Sequence, residues 1–207
     1  MTHGVPKLLD WARRLQAIAQ TGVAYGEPTP YDRERYDQVR LIAAEMLGSN
    51  GDVSALEARF AAELGHATPK LDVRGAVFRA DELLLVREDG AWSLPGGWVD
   101  VGESPSQAVE REVLEESGYV TRAVKLLALQ DRDRQGYPPH VWHVWKAVFI
   151  CEFAGGEQRE LGTETDAAGF FSRSSFPEPL RVGASTCRLL ERCFEHHEHP
   201  EWPADFD

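Results

Sequence analysis

Apolar positions recur at helical spacing through the first third of the chain and at strand spacing after it. Val5, Leu8, Leu9, Ala12, Leu15, Ile18 and Ala19 fall on one helical stripe. Between Thr21 and Pro30, two glycines and two prolines predict a break that carries Tyr25. A second helix is predicted from the stripe Tyr36, Val39, Ala43, Met46 and Leu47, with its stop at Gly48. Asn50-Gly51-Asp52 reads as a turn. Ser54 and Glu57 have capping-box spacing, which predicts a short third helix burying Leu56, Phe60 and Leu64 and ending by Gly65 and Pro69.

From Lys70 the period changes to two. Leu71 to Phe78 and Leu83 to Arg87 flank the pair Ala80-Asp81, so a hairpin is predicted. Trp92 to Pro95, Ala123 to Gln130, Val141 to Phe153 and Gly169 to Ser172 read as further strands. Ser104 to Ser117 is the clearest helix: Ser104 suits the N-cap, Pro105 the first position, Gln107 the capping box and Gly118 the stop. A last helix is predicted over Ala184 to His196, followed by a polar, loose tail from Glu198 to Asp207. The pattern divides the chain into a helical region, residues 1–67, and an α/β domain, residues 68–207.

Charge narrows the function classes. A net charge of -12 without a Lys/Arg block argues against DNA and long RNA as partners. No apolar run is long enough to span a bilayer, and Met1-Thr2-His3-Gly4 lacks the charged-then-apolar plan of a signal peptide, so a cytoplasmic protein without a membrane partner is expected. Cys151, Cys187 and Cys193 form no CxxC pair, so neither a disulfide framework nor a zinc site is expected, and the thiols are read as buried small hydrophobes.

The candidate chemistry lies on the helix from Ser104. Glu112, Glu115 and Glu116 stand at i, i+3 and i+4, so their carboxylates share a face, while Glu110 points elsewhere. Like charges so placed repel unless a cation neutralises them, and an all-oxygen donor set suits Mg2+ or Mn2+. Arg111, four residues before Glu115, can brace that carboxylate.

Gly97 to Glu103 and Glu110 to Tyr119 together resemble the Nudix box, G-x5-E-x7-R-E-U-x-E-E-x-G-U, where U is a bulky apolar residue. Gly97, Glu103, Arg111, Glu112, Glu115, Glu116 and Gly118 occupy its fixed positions, Val113 fits the first U, and Tyr119 is an aromatic departure at the second. The resemblance implies a Nudix-type α/β/α sandwich with a mixed sheet, preceded here by a small all-helical domain. It implies that Glu112 and Glu116 are the main metal ligands, that Glu115 is a direct or water-mediated one, and that the Gly96 carbonyl is another. It also implies that Glu103 pairs with Arg111. Such metals polarise phosphoryl oxygens and make water acidic enough to attack near neutral pH. Some relatives take the general base from a later loop. Ala167 stands where many carry an acid, which leaves Glu164 and Asp166 as candidates.

Most of residues 5–195 is similar to a bacterial Nudix subgroup with an N-terminal helical region, which includes CDP-choline pyrophosphatases and proteins labelled ADP-ribose pyrophosphatases. The likeness implies Mg2+-dependent hydrolysis of a nucleoside diphosphate linked to a second group, giving NMP and the phosphorylated second group. Arg132, His143 and Lys146 are candidate phosphate contacts; Trp98, Tyr137 and Trp142 are candidate stacking partners for a base. The alternatives are cleansing of nucleoside triphosphates or RNA processing, and a non-catalytic nucleotide sensor, against which the intact carboxylates argue. Three short helices make a thin core. Together with the dimeric subgroup, this predicts a homodimer in which the helical region forms the interface and partly walls the substrate pocket.

Overall fold

A computed structural model describes residues 6–48, 52–157 and 165–207. Val5, Asn50, Gly51 and the stretch holding Glu164 lie outside the described residues. The chain separates into two compact units. One comprises the described residues up to Pro69 with Pro139–His143; the other comprises Lys70–Pro138 and Val144–Asp207.

The helical unit contains α1 (Lys7–Tyr25), α2 (Pro30–Leu47) and α3 (Val53–Ala62). The expected break at Thr21 falls later, because α1 runs on to Tyr25. Gly22 is tolerated inside the helix because α2 lies against it: a Cβ there would meet the Tyr36 hydroxyl at 2.6 Å. Close packing thus outweighs the roughly 1 kcal/mol by which glycine disfavours a helix. Thr29 caps α2 in a capping box with Asp32. The box expected for α3 does not form; Val53 opens that helix, with Asp52 before it and no side-chain cap. Leu64 also departs from expectation. It lies beyond the end of α3, 83% exposed.

Ala12, Ala43, Ala44 and Phe60 are the buried centre of this unit, joined by Leu15, Leu56, Val141 and Trp142. Trp142 meets Phe60 edge-on at 5.4 Å, and Arg13 donates to the carbonyls of His140, Val141 (3.2 Å) and Trp142 (3.1 Å). Pro139–His143 therefore completes the small helical core. Val141, expected to begin a strand, belongs to this segment instead.

The second unit is a mixed sheet of β1 (Lys70–Arg79), β2 (Glu82–Glu88), β3 (Ala91–Ser93), β4 (Tyr119–Asp131), β5 (Val144–Gly156), β6 (Thr165–Ser172) and β7 (Asp205–Phe206). Its order is β3-β2-β1-β5-β4-β7, with β6 also paired to β2. β1 and β5 run parallel and place Asp72 opposite Lys146. Helix α4 (Pro105–Ser117) buries Ala108, Val109 and Val113 against Val73, Val77 and Leu84. Helix α5 (Cys187–Glu198) sets Leu189, Leu190, Cys193 and Phe194 against Ala76, Leu127 and Val148. Successive residues of β1 point to opposite faces, so one strand serves both cores.

The tail is not loose. Arg192 grips Asp205 with two bonds of 2.8 Å, Trp202 stacks on His199 at 4.5 Å, and β7 pairs parallel with β4. Cys151 and Cys193 are buried, but Cys187 is exposed at the start of α5, contrary to the expectation for it. Among the described residues, no helix is long and apolar enough to cross a membrane.

Candidate active site

Local sequence places α4 in register. Ser104 accepts from the Gln107 N–H, Gln107 returns the bond to the Ser104 N–H at 2.9 Å, and Gly118 closes the helix in a left-handed conformation. The loop from Leu94 to Val99 lies on β1: Gly75 N–H donates to Pro95 O and Val73 N–H to Gly97 O, both at 2.8 Å. Gly96, with φ 142°, lies so near β1 that a Cβ would stand 2.9 Å from Arg74 Cα. A side chain at this position is excluded by both backbone and space.

The Gly96 N–H donates to Glu116 Oε2 at 2.9 Å, and a Cβ on Gly97 would sit 2.7 Å from Glu112 Oε1. Glu112 and Glu116 are thus gathered beside the two glycines. Glu115 is mostly exposed. Arg111 joins the group: it donates to both oxygens of Glu103, to Glu112 at 2.9 Å, to Glu115 at 3.0 Å and to the Trp98 carbonyl at 3.4 Å. Its hydrogen bonds hold the Glu103 carboxyl below its ordinary range.

Burial works the other way on the inner pair. It raises the Glu112 carboxyl, with Arg111 opposing. It pushes Glu116 up to about 7, against the Gly96 N–H and Arg74, while Glu112 and Asp72 add to the rise. Two partly buried carboxylates on one face of α4 therefore act on one another by like charge. This all-oxygen donor set, crowded against backbone that has no side chain, fits a hard divalent cation.

Of the two candidate bases, Asp166 lies among the described residues. Asp166 is bound to Arg87 at 2.6 Å, and Ala167 pairs with Arg87 across β2 and β6. Glu164 is outside the described residues.

Three of the candidate substrate contacts come together. The Tyr137 ring meets both the Arg132 guanidinium at 5.4 Å and the Lys146 ammonium at 5.2 Å. Tyr137 is 7% exposed, and its hydroxyl has no hydrogen-bond partner among the described residues. Lys146 is fully enclosed and paired with Asp72; burial, with Arg74, pulls its ammonium down to about 8. Arg132 donates to the Pro138 carbonyl. Trp98 is 47% exposed on the loop that carries the glycines. His143 and Trp142 belong to the helical unit.

The sequence reading passed over Asp72 and Arg74. They are the charged residues of an otherwise apolar stretch, Leu71 to Val77, and their alternation places them on one face of β1. Arg74 donates to Asp72 at 2.9 Å and to the Leu94 carbonyl at 3.2 Å.

Comparison with known proteins agrees with this geometry. Residues 68–190 match the NUDIX domain family, and residues 6–59 match a UDP-X-like, N-terminal oligomerisation domain. YjhB of Bacillus subtilis (strain 168), named provisionally as an ADP-ribose pyrophosphatase, is 42% identical over 205 residues, covering 97% of each chain. The crystal structure of an ADP-ribose pyrophosphatase from Streptococcus suis 89-1591 is 40% identical with a TM-score of 0.62, covering 68% of this chain and all of that one. A UDP-X diphosphatase structure is 29% identical with a TM-score of 0.62, covering 97% of this chain and 98% of that one. The box residues, the sandwich and these likenesses agree: the chain belongs to the Nudix hydrolase family, with its Nudix domain preceded by a UDP-X-like N-terminal region.

Proposed function

We propose that this enzyme hydrolyses the diphosphate bond of a nucleoside diphosphate linked to a second group, of the ADP-ribose or CDP-choline type, with Mg2+ or Mn2+. The observation that carries the reading is the gathering of Glu112 and Glu116 beside Gly96 and Gly97, with Arg111 binding Glu112, Glu115 and Glu103 together. The named activities of YjhB and of the S. suis and UDP-X enzymes support the substrate class.

In this reading Glu112 and Glu116 hold the metal, Glu115 assists directly or through water, and the Gly96 carbonyl is a further ligand. A bound divalent cation supplies Lewis acidity to the phosphoryl oxygens and lowers the pKa of water. The water oxygen joins one phosphorus, the bridging bond breaks, and the bridging oxygen leaves on the other phosphate. The products are a nucleoside monophosphate and the phosphorylated second group. Arg111 keeps the loop and helix carboxylates in one constellation. Glu164 or Asp166 takes the proton from the attacking water. Arg132, His143 and Lys146 are the candidate phosphate contacts, and Trp98, Tyr137 or Trp142 the candidate stacking partners for the base. The helical unit associates two copies, in keeping with the oligomerisation domain it matches. The reaction is placed in the cytoplasm.

The test is a panel of ADP-ribose, CDP-choline, UDP-sugars and nucleoside triphosphates, each with and without Mg2+, followed by chromatography. The reading expects metal-dependent release of NMP from at least one diphosphate-linked compound. Turnover confined to triphosphates, or none with any member, would contradict it.

A further inference from the structure

Asp72, Arg74 and Lys146 form a charged group inside the second unit: Lys146 is fully enclosed, and the Asp72 and Arg74 side chains are 10% and 11% exposed. Enclosed ion pairs seldom stabilise a fold better than apolar residues of the same size would. One carboxylate between two cations also leaves a net positive charge. The positions of Asp72 and Arg74 alternate with Leu71, Val73 and Gly75 in a strand whose other face is apolar. Stability alone therefore gives little reason for this group.

Its connections lead to the carboxylate cluster. Asp72 accepts from Arg74 Nε at 2.9 Å and Nη2 at 3.4 Å, which orients the guanidinium. Nη1 is then directed at the Leu94 carbonyl, 3.2 Å away, two residues before Gly96. The backbone on either side of Arg74 fixes the same loop, through Val73 to Gly97 and through Gly75 to Pro95. Asp72 itself forms a backbone bridge with Trp98. Arg74 also lies close enough to Glu116 for their charges to act on one another. One side chain therefore bonds the loop that supplies the Gly96 N–H and acts by its charge on the carboxylate that accepts from it.

We propose that Arg74, oriented by Asp72, is a positioning residue that presets the Gly96–Gly97 loop and Glu116 for the divalent cation. This rests on the metal site proposed above and extends it to residues of β1. In this role Arg74 acts through the loop and Glu116, not on the reacting atoms. Its charge by itself opposes a nearby cation, so a role through geometry and a role through charge have opposite signs.

The experiment is Mn2+ binding to the full chain, by electron paramagnetic resonance or calorimetry, for wild type, Arg74→Met, Arg74→Lys, Asp72→Asn and Glu112→Gln, with folding checked by circular dichroism. Loss of a group that orients metal ligands weakens affinity by about 10- to 100-fold. Arg74→Met is expected in that range, although it removes a like charge. Arg74→Lys keeps the charge but not the fork, and should fall between Arg74→Met and wild type; Asp72→Asn should follow it. Wild-type or tighter binding by folded Arg74→Met would overturn the proposal. Should Arg74→Met not fold, unchanged binding by Arg74→Lys would overturn it. If Glu112→Gln also binds Mn2+ like wild type, the metal site itself is misassigned; if only the Glu112 variant loses binding, Arg74 alone is.

Discussion

Arg111 holds both oxygens of Glu103, at 2.8 Å through Nε and 3.0 Å through Nη2, and uses its remaining Nη1 donor for Glu112 and Glu115. A residue of the loop before α4 is thereby tied to the helix carboxylates by a single planar group. Lysine cannot reproduce this fork. Arg111→Lys should lower stability only modestly, because ion pairs this open to solvent contribute little. Urea unfolding measures the first effect, and Mn2+ titration should show weaker binding as the second. Unchanged midpoint and affinity would mean that the Arg111 cluster is a surface feature of no consequence.

Glu116 should make a contribution to the stability of the metal-free protein that falls as pH rises. Burial raises Glu116 from its ordinary 4.5 to about 7 in the folded state. The folded chain then binds a proton more tightly than the unfolded chain. The contribution is complete below about 4.5, declines through the interval up to 7 and is lost above it. Its size is on the order of 1–3 kcal/mol. Urea unfolding in EDTA at several pH values is expected to show this decline, with Glu116→Gln flattening it and Mg2+ opposing it at high pH. An equal decline in wild type and Glu116→Gln would remove Glu116 as its source.

The helical unit exposes apolar side chains along α1: Leu8, Trp11, Ile18 and Tyr25, at 50%, 44%, 60% and 69%. With spacings of 3 and 7 they lie on one face. If this face joins two copies, Ile18→Asp should shift the protein from dimer to monomer in light scattering. A second expectation is that a chain lacking residues 1–66 is monomeric with an altered KM. Dimers that persist in both variants would place the interface elsewhere.

How much of this could be read from sequence depended on the range of each interaction. Helix α4 was readable because its cap, its stop and its three carboxylates are set within the short stretch from Ser104 to Gly118 by local geometry. Gly22 misled because its place inside α1 is decided by the Tyr36 ring of another helix. The tail misled because Asp205 finds Arg192 and β4 only after folding. Arg74 and Asp72 carry no local signal of their role either. Their connection to Lys146 needs the β1–β5 register, and their connection to Gly96 needs the loop laid on β1.

The base separates from the ligands by pH. Asp166 is engaged with Arg87. Glu164 or Asp166 should act on proton transfer and not on metal affinity, so the needed residue, replaced by its amide, should change the pH–rate profile while Mn2+ binding stays constant. Unchanged profiles for both Glu164→Gln and Asp166→Asn would exclude the late loop as the source of the base.

Glu112 and Glu116 are proposed to hold the cation that drives diphosphate hydrolysis. The direct measurement is turnover of the preferred diphosphate-linked substrate at saturating Mg2+ by wild type, Glu112→Gln and Glu116→Gln, each shown to be folded. Loss of a ligand to a Lewis-acid cation should remove several kcal/mol of transition-state stabilisation, a fall of about 100-fold or more. That fall is expected for both variants, with stability of the metal-free protein held or raised. Near-wild-type turnover by either variant would contradict it.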